Sequence, residues 1–116
     1  MKEGFRVTRV EKEIQQILAE YMQRQMHFPS GVLFSITRVE SNKVLRTAKV
    51  FYSLMGDESL YERCQEILDE SMYDIQKHLN KTMHMKFVPH ISFIFDEGLE
   101  HMMKIQGQLQ DIQDEE

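Results

Sequence analysis

A single cysteine, Cys64, stands in the 116 residues, so no intramolecular disulfide is possible and a reducing compartment fits. Tryptophan is absent, and the only prolines are Pro29 and Pro89. No stretch approaches the roughly 18–20 apolar residues that cross a bilayer. The opening Met-Lys-Glu-Gly-Phe-Arg has no apolar run of the signal-peptide kind, which points to the cytoplasm. His27, His78, His84, His90 and His101 form no His-x-x-x-His pair and join no cysteine pair, so no zinc site is expected. Met83-His84-Met85 reads as a helix end with a surface imidazole. Serines and acidic residues are plentiful, but nothing sets a nucleophile beside a base. Neither an enzyme nor a cofactor is therefore expected.

What is present is patterned. A chain of this length makes one domain, and at this size folding buries about two-thirds of the unfolded surface without staples. From Phe5 to Met22 the apolar residues Val7, Val10, Ile14, Ile17, Leu18 and Tyr21 recur at steps of three and four, one face of a helix. That helix should end near Met26-His27, because Phe28 precedes Pro29. Two runs rich in β-branched and aromatic residues follow, within Val32–Ser53, around a polar break at Ser41-Asn42-Lys43. This is a β-hairpin pattern. Val32, Phe34 and Ile36 share one face, and Ala48, Val50 and Tyr52 another. Such alternation implies a sheet covered on one side. Asp57 or Ser59 can cap what comes next.

Leu60, Cys64, Ile67, Leu68, Met72, Ile75, Leu79 and Met83 then hold a helical stripe for more than twenty residues. Unbroken, it would run about 35–40 Å at 1.5 Å per residue, as long as the domain is wide, so a break is expected. Cys64 lies on this stripe and reads as a small core residue. The nine methionines sit mostly at or beside such core positions and read as gap fillers. A third strand spans Phe87 to Phe95, with Pro89 near its start. Leu99 to Leu109 suggests a short closing helix, and residues 111–116 an acidic, solvated tail after a single domain over residues 1–110.

Net charge is −5, but it is unevenly spread. Residues 1–56 carry nine Lys/Arg and five Asp/Glu, a net of +4; residues 57–116 carry five and fourteen, a net of −9. The halves either segregate in space, leaving a basic face on an acidic domain, or interleave so that the asymmetry vanishes. Sequence alone leaves both open.

The order helix, strand, strand, broken helix, strand gives an α+β domain with a three-stranded sheet packed on one face by helices. It is the αββααβ order of type II K-homology (KH) domains, here with a short C-terminal helix added. Arg6-Val7 and Arg9-Val10 open the first helix, and Ile14 with Ile17-Leu18 continue it. Together with Ile36-Thr37-Arg38-Val39, Ala48-Lys49-Val50-Phe51-Tyr52-Ser53, Pro89-His90-Ile91-Ser92-Phe93 and Asp96, they make the chain resemble the ribosome-binding factor A family over residues 5–105. That resemblance implies a non-enzymatic cytoplasmic factor, expected to be a monomer. It would bind the immature small ribosomal subunit and assist maturation of its 16S RNA, including 5′-end processing, above all in the cold. The alternative is a protein–protein adaptor of the same fold, whose acidic second half meets a basic partner.

The chain departs from the family pattern in places. The family's Ala-x-Gly helix break reads Ser71-Met72-Tyr73 here, without the glycine; Gln76 and Lys86 stand where arginine is usual. The candidate RNA contacts are Arg6 and Arg9, one turn apart; Lys43 at the hairpin turn with Arg46 and Lys49 beyond it; Lys77 and Lys81 on one helix face; and Lys86. Taken singly, the ordinary reading of each is a solvated cation or a local ion pair; it is the set, together with the resemblance, that points to RNA.

Overall fold

The apolar stripe of the first helix is what seats it. In a computed structural model that describes residues 2–97, α1 (Lys2–Gln25) buries Val10, Ile14, Leu18 and Met22, while Arg6, Arg9, Lys12 and Glu13 stay exposed. The helix stops short of Phe28-Pro29, where the proline ring disfavours helical geometry at the residue before it. The expected closing helix over Leu99–Leu109 and the tail at 111–116 lie outside the described residues.

β1 (Val32–Ser41) and β2 (Thr47–Gly56) pair antiparallel. The loop between them covers residues 42–46, longer than the three-residue break read from sequence. Asn42 organises it: its side-chain oxygen accepts from the N–H groups of Arg46 (2.8 Å) and Thr47 (3.3 Å), and its carbonyl accepts from Leu45 at 3.1 Å. Leu45 takes a positive φ of 56° and is buried, so burial of its side chain holds a backbone shape that glycine usually supplies.

β1 contains a bulge. Ile36 pairs with Tyr52 and Arg38 with Phe51, leaving Thr37 extra. Without that residue the inward set Val32, Phe34, Ile36 would continue to Arg38; with it, buried Val39 takes the core face opposite Val50. Thr37 and Arg38 both bond the Asp96 carboxylate on the outer face, at 2.9 and 2.8 Å, and the Arg38 guanidinium lies 3.8 Å from the centre of the Phe51 ring.

Gly56 ends β2 at φ 122°, where an added Cβ would fall on the Gly31 carbonyl, the same carbonyl that accepts the Asp57 N–H. Asp57 caps a single 3-10 turn (Glu58–Leu60) through Ser59, and α2 (Tyr61–Glu70) and α3 (Met72–Thr82) follow. The long stripe is interrupted at Ser71. Its N–H is shared between the carbonyls of Ile67 and Leu68, and its own carbonyl already accepts from Ile75. At φ −96° and ψ −1° the residue is right-handed, so any L side chain fits and no glycine is needed.

β3 (His90–Phe95) lies parallel to β2, giving the sheet order β1-β2-β3. The strand expected from Phe87 therefore starts three residues later. Pro89 has no N–H to pair, and the first backbone bond at this end runs from His90 N–H to the Arg46 carbonyl at 2.9 Å. The α2–α3 crossover covers one sheet face, where Val50, Ile91, Leu68, Ile75 and Leu79 join the α1 stripe in one core. An aromatic file of Phe28, Phe34 and Tyr52, with Phe95 edge-on, fills the end near Gly56.

Candidate nucleic-acid interface

Three contacts gather the basic residues at the opposite end. The Glu11 carboxylate accepts the Ser41 N–H at 2.7 Å, which places the first half of α1 against the end of β1. The His90–Arg46 bond sets the start of β3 against the hairpin loop. Gln76 of α3 clamps the same strand start: its Nε2 donates to the Pro89 carbonyl (3.1 Å) and its Oε1 accepts from Ile91 N–H (2.9 Å). Arg6 and Arg9 on α1, Lys43 and Arg46 in the loop, Lys49 early in β2, and Lys86 before β3 thus share one end. Lys81, near the end of α3, leads into the segment that carries Lys86. All of these cations are exposed.

The other end is acidic. Asp57, Glu58, Glu62, Glu66, Asp69 and Glu70 are exposed along the 3-10 turn and α2, where Arg63 pairs with Glu66 at 3.1 Å and reaches Glu70 at 3.8 Å. The element order sets the group of cations apart from the α2 carboxylates, with Glu11, Glu13 and Glu40 interspersed among the cations and Arg63 among the carboxylates. A negatively charged polymer meets a domain of net charge −5 that nevertheless presents a cationic end.

Among the described residues, two of the candidates converge on one group, the Phe87 ring, with the Arg46 guanidinium carbon 5.3 Å and the Lys86 ammonium nitrogen 5.6 Å from its centre. Lys77 and Lys81 lie four residues apart on the exposed side of α3, with exposed Tyr73 one turn earlier. Arg6 and Arg9 are exposed on α1. Lys49 faces Glu40 across the hairpin, and Glu40 is itself bonded by Arg38. Two contributors escaped the sequence reading. Phe87 looked like a strand residue, although its position after Lys86 and two before a proline was a signal of display. Gln76 looked only like a missing arginine.

The perturbed titrations lie elsewhere. Burial pushes the Cys64 thiol up, and burial first, then Asp69, raises the Tyr52 phenol. Hydrogen bonds from the Ser59 side chain and backbone lower the Asp57 carboxyl. Among the described residues no cluster of His, Cys, Asp or Glu is placed to hold a metal ion, and no helix is long and apolar enough to cross a membrane.

Fold and surface together define a KH-like α+β domain that exposes the cations of α1's first turns, the hairpin loop and the approach to β3 at one end. Its sequence matches the family described as Ribosome-binding factor A over residues 6–109, and the chain belongs to that family. It is 31% identical over 113 residues to the ribosome-binding factor A of Bdellovibrio bacteriovorus, covering 97% of this chain and 84% of that one. The solution structure of a Thermotoga maritima protein described as a ribosome binding factor A is similar, with TM-score 0.63 and 29% identity over 78% of this chain and 86% of that one. A homology model of the Thermus thermophilus ribosome binding factor A, fitted into a cryo-EM map of a 30S complex with that factor, shares the fold at TM-score 0.62 and 20% identity, over 73% of this chain and 89% of that one.

Proposed function

We propose that this chain binds the immature small ribosomal subunit through its basic end and assists maturation of the 16S RNA, including processing at the 5′ end, chiefly in the cold. The observation that carries the reading is the collection of Arg6, Arg9, Lys43, Arg46, Lys49 and Lys86 at one end of an acidic domain in this family. The Thermus relative's placement in a 30S complex supports the choice of partner. The mechanism is binding, not chemistry. Cations position the domain on phosphates, and the rigid fold selects RNA shape rather than sequence. A maturing conformation is held because the domain binds it better than the finished one, and the factor leaves when that preference is lost. The working state is a cytoplasmic monomer.

Salt dependence follows from this. If four to six of the cations displace counterions, the logarithm of the affinity falls with the logarithm of salt at a slope of about −3 to −5. A second reading, a protein–protein adaptor, draws on the exposed carboxylates of α2, Glu62, Glu66, Asp69 and Glu70. It predicts no salt-dependent shift with ribosomal RNA. The deciding experiment maps 16S RNA 5′ ends in a deletion strain grown cold. An unprocessed extension, removed by restoring the gene, is expected; normal ends at low temperature contradict the processing role.

A further inference from the structure

We infer that Phe87 is a stacking platform for one unpaired RNA base, with Arg46 and Lys86 taking the phosphates on either side of it. This deepens the reading above and rests on it.

Phe87 is 61% exposed, whereas the next two residues are not: Val88 packs against the core and Pro89 is fully buried. The chain thus turns its largest apolar group in this segment outward while its neighbours anchor inward. That anchoring is firm. Gln76 holds Pro89 and Ile91 from the helix side, and the His90–Arg46 bond holds the strand start from the loop side. The ring is presented from a fixed base, the condition under which a flat contact forms without ordering a loop first.

Two cations already sit within the roughly 6 Å over which an aromatic face attracts one. Among the described residues neither has a carboxylate partner. Both have long, mobile stems. A base that covers the ring leaves two charged heads free to swing to the phosphates flanking that base. Single-stranded nucleic acid has this repeat, a π-face with an anion before and after it. A protein partner would need an aromatic side chain set between two carboxylates, a far narrower match. Phe5 and Tyr73 are also exposed aromatics, but among the described residues no cation is placed over either ring.

The test uses the full chain and a short unstructured RNA carrying one 2-aminopurine, whose fluorescence is quenched when it stacks. The chain has no tryptophan to interfere. Wild type should quench the probe. Phe87→Ala and Phe87→Leu should both weaken binding about tenfold or more and abolish quenching, while Phe87→Tyr keeps both. The leucine variant matters because it retains apolar bulk but no π-face, and at an exposed position it leaves the fold intact. Arg46→Gln and Lys86→Gln should each flatten the salt slope by about one, and Phe87→Leu should not. Absence of quenching by wild type, or a Phe87→Leu variant that binds and quenches like wild type, overturns the inference. Sedimentation of the same variants with small subunits separates the two levels. If wild type binds subunits and the Phe87 variants bind them equally well, stacking is refuted and the subunit reading stands. If the variants lose the subunit yet still quench the probe, Phe87 meets a protein, which also refutes stacking. Failure of wild type to bind subunits at all refutes the subunit reading itself.

Discussion

Replacing Gln76 should uncouple the basic end from the helix layer. Its amide spans α3 and the start of β3, donating to the Pro89 carbonyl at 3.1 Å and accepting from the Ile91 N–H at 2.9 Å. Among the described residues β3 is an edge strand, so the Ile91 N–H that points away from β2 has no ladder partner there and is met by this side chain. Ile91 is 1% exposed and Pro89 fully buried. Each neutral hydrogen bond contributes about 1 kcal/mol net, and a buried group left without a partner costs about 1–3 kcal/mol. Gln76 is itself half-buried, so water replaces part of what is lost. A cost of about 2 kcal/mol results, a sizeable share of the 5–15 kcal/mol that stabilises a typical domain. At about 4 °C per kcal/mol for a domain near this size, Tm should fall by about 8 °C. Thermal unfolding followed by circular dichroism measures it. Gln76→Met should match Gln76→Ala, since it restores bulk but neither bond. Gln76→Glu should be no better than wild type, because its carboxylate can accept from Ile91 but cannot donate to Pro89. A Gln76→Met protein within about 0.5 kcal/mol of wild type would refute the clamp, and with it the claim that Phe87 stands on a fixed base.

Two further outcomes follow from the fold. Gly56→Ala should cost about 3 kcal/mol or more, because the left-handed φ is unfavourable and the new methyl meets the Gly31 carbonyl; a urea midpoint equal to wild type would contradict it. Cys64, 1% exposed and with its thiol pushed up by burial, should react with Ellman's reagent only as the protein unfolds. Because the folded value is the higher one, the stability this neutral thiol confers is full below the unfolded value, about 8.5. It is lost as pH rises through that value toward the folded one, a decline that Cys64→Ala should lack.

The elements set by local chemistry were legible in the chain. The four-residue steps of Val10, Ile14 and Leu18 announced α1, Phe28-Pro29 its end, and the alternation through Ala48, Val50 and Tyr52 the inward face of β2. A break in the long stripe could be expected from its length, and Ser71 is where the helices part. What was not legible depends on partners distant in sequence. The bulge at Thr37 leaves no periodic mark until Val39 and Val50 are opposed, and its hydroxyl bonds a carboxylate 59 residues away. Leu45 gives no sign of a left-handed backbone until its side chain is seen buried. The basic residues of the candidate site could be named one by one. Their collection at one end follows from the parallel placement of β3 beside β2 and from Gln76, a contact 13 to 15 residues long that no local pattern encodes.

The central claim, that the cationic end docks this domain on the small subunit, is tested most directly by sucrose-gradient sedimentation of the tagged chain from cold-grown cells beside its Arg46→Gln/Lys86→Gln variant. The wild-type chain should travel with free small subunits and be absent from translating ribosomes, and the double variant should shift toward the top of the gradient while keeping its unfolding temperature. A wild-type chain that stays at the top, or a folded double variant that sediments with small subunits as wild type does, would contradict the account.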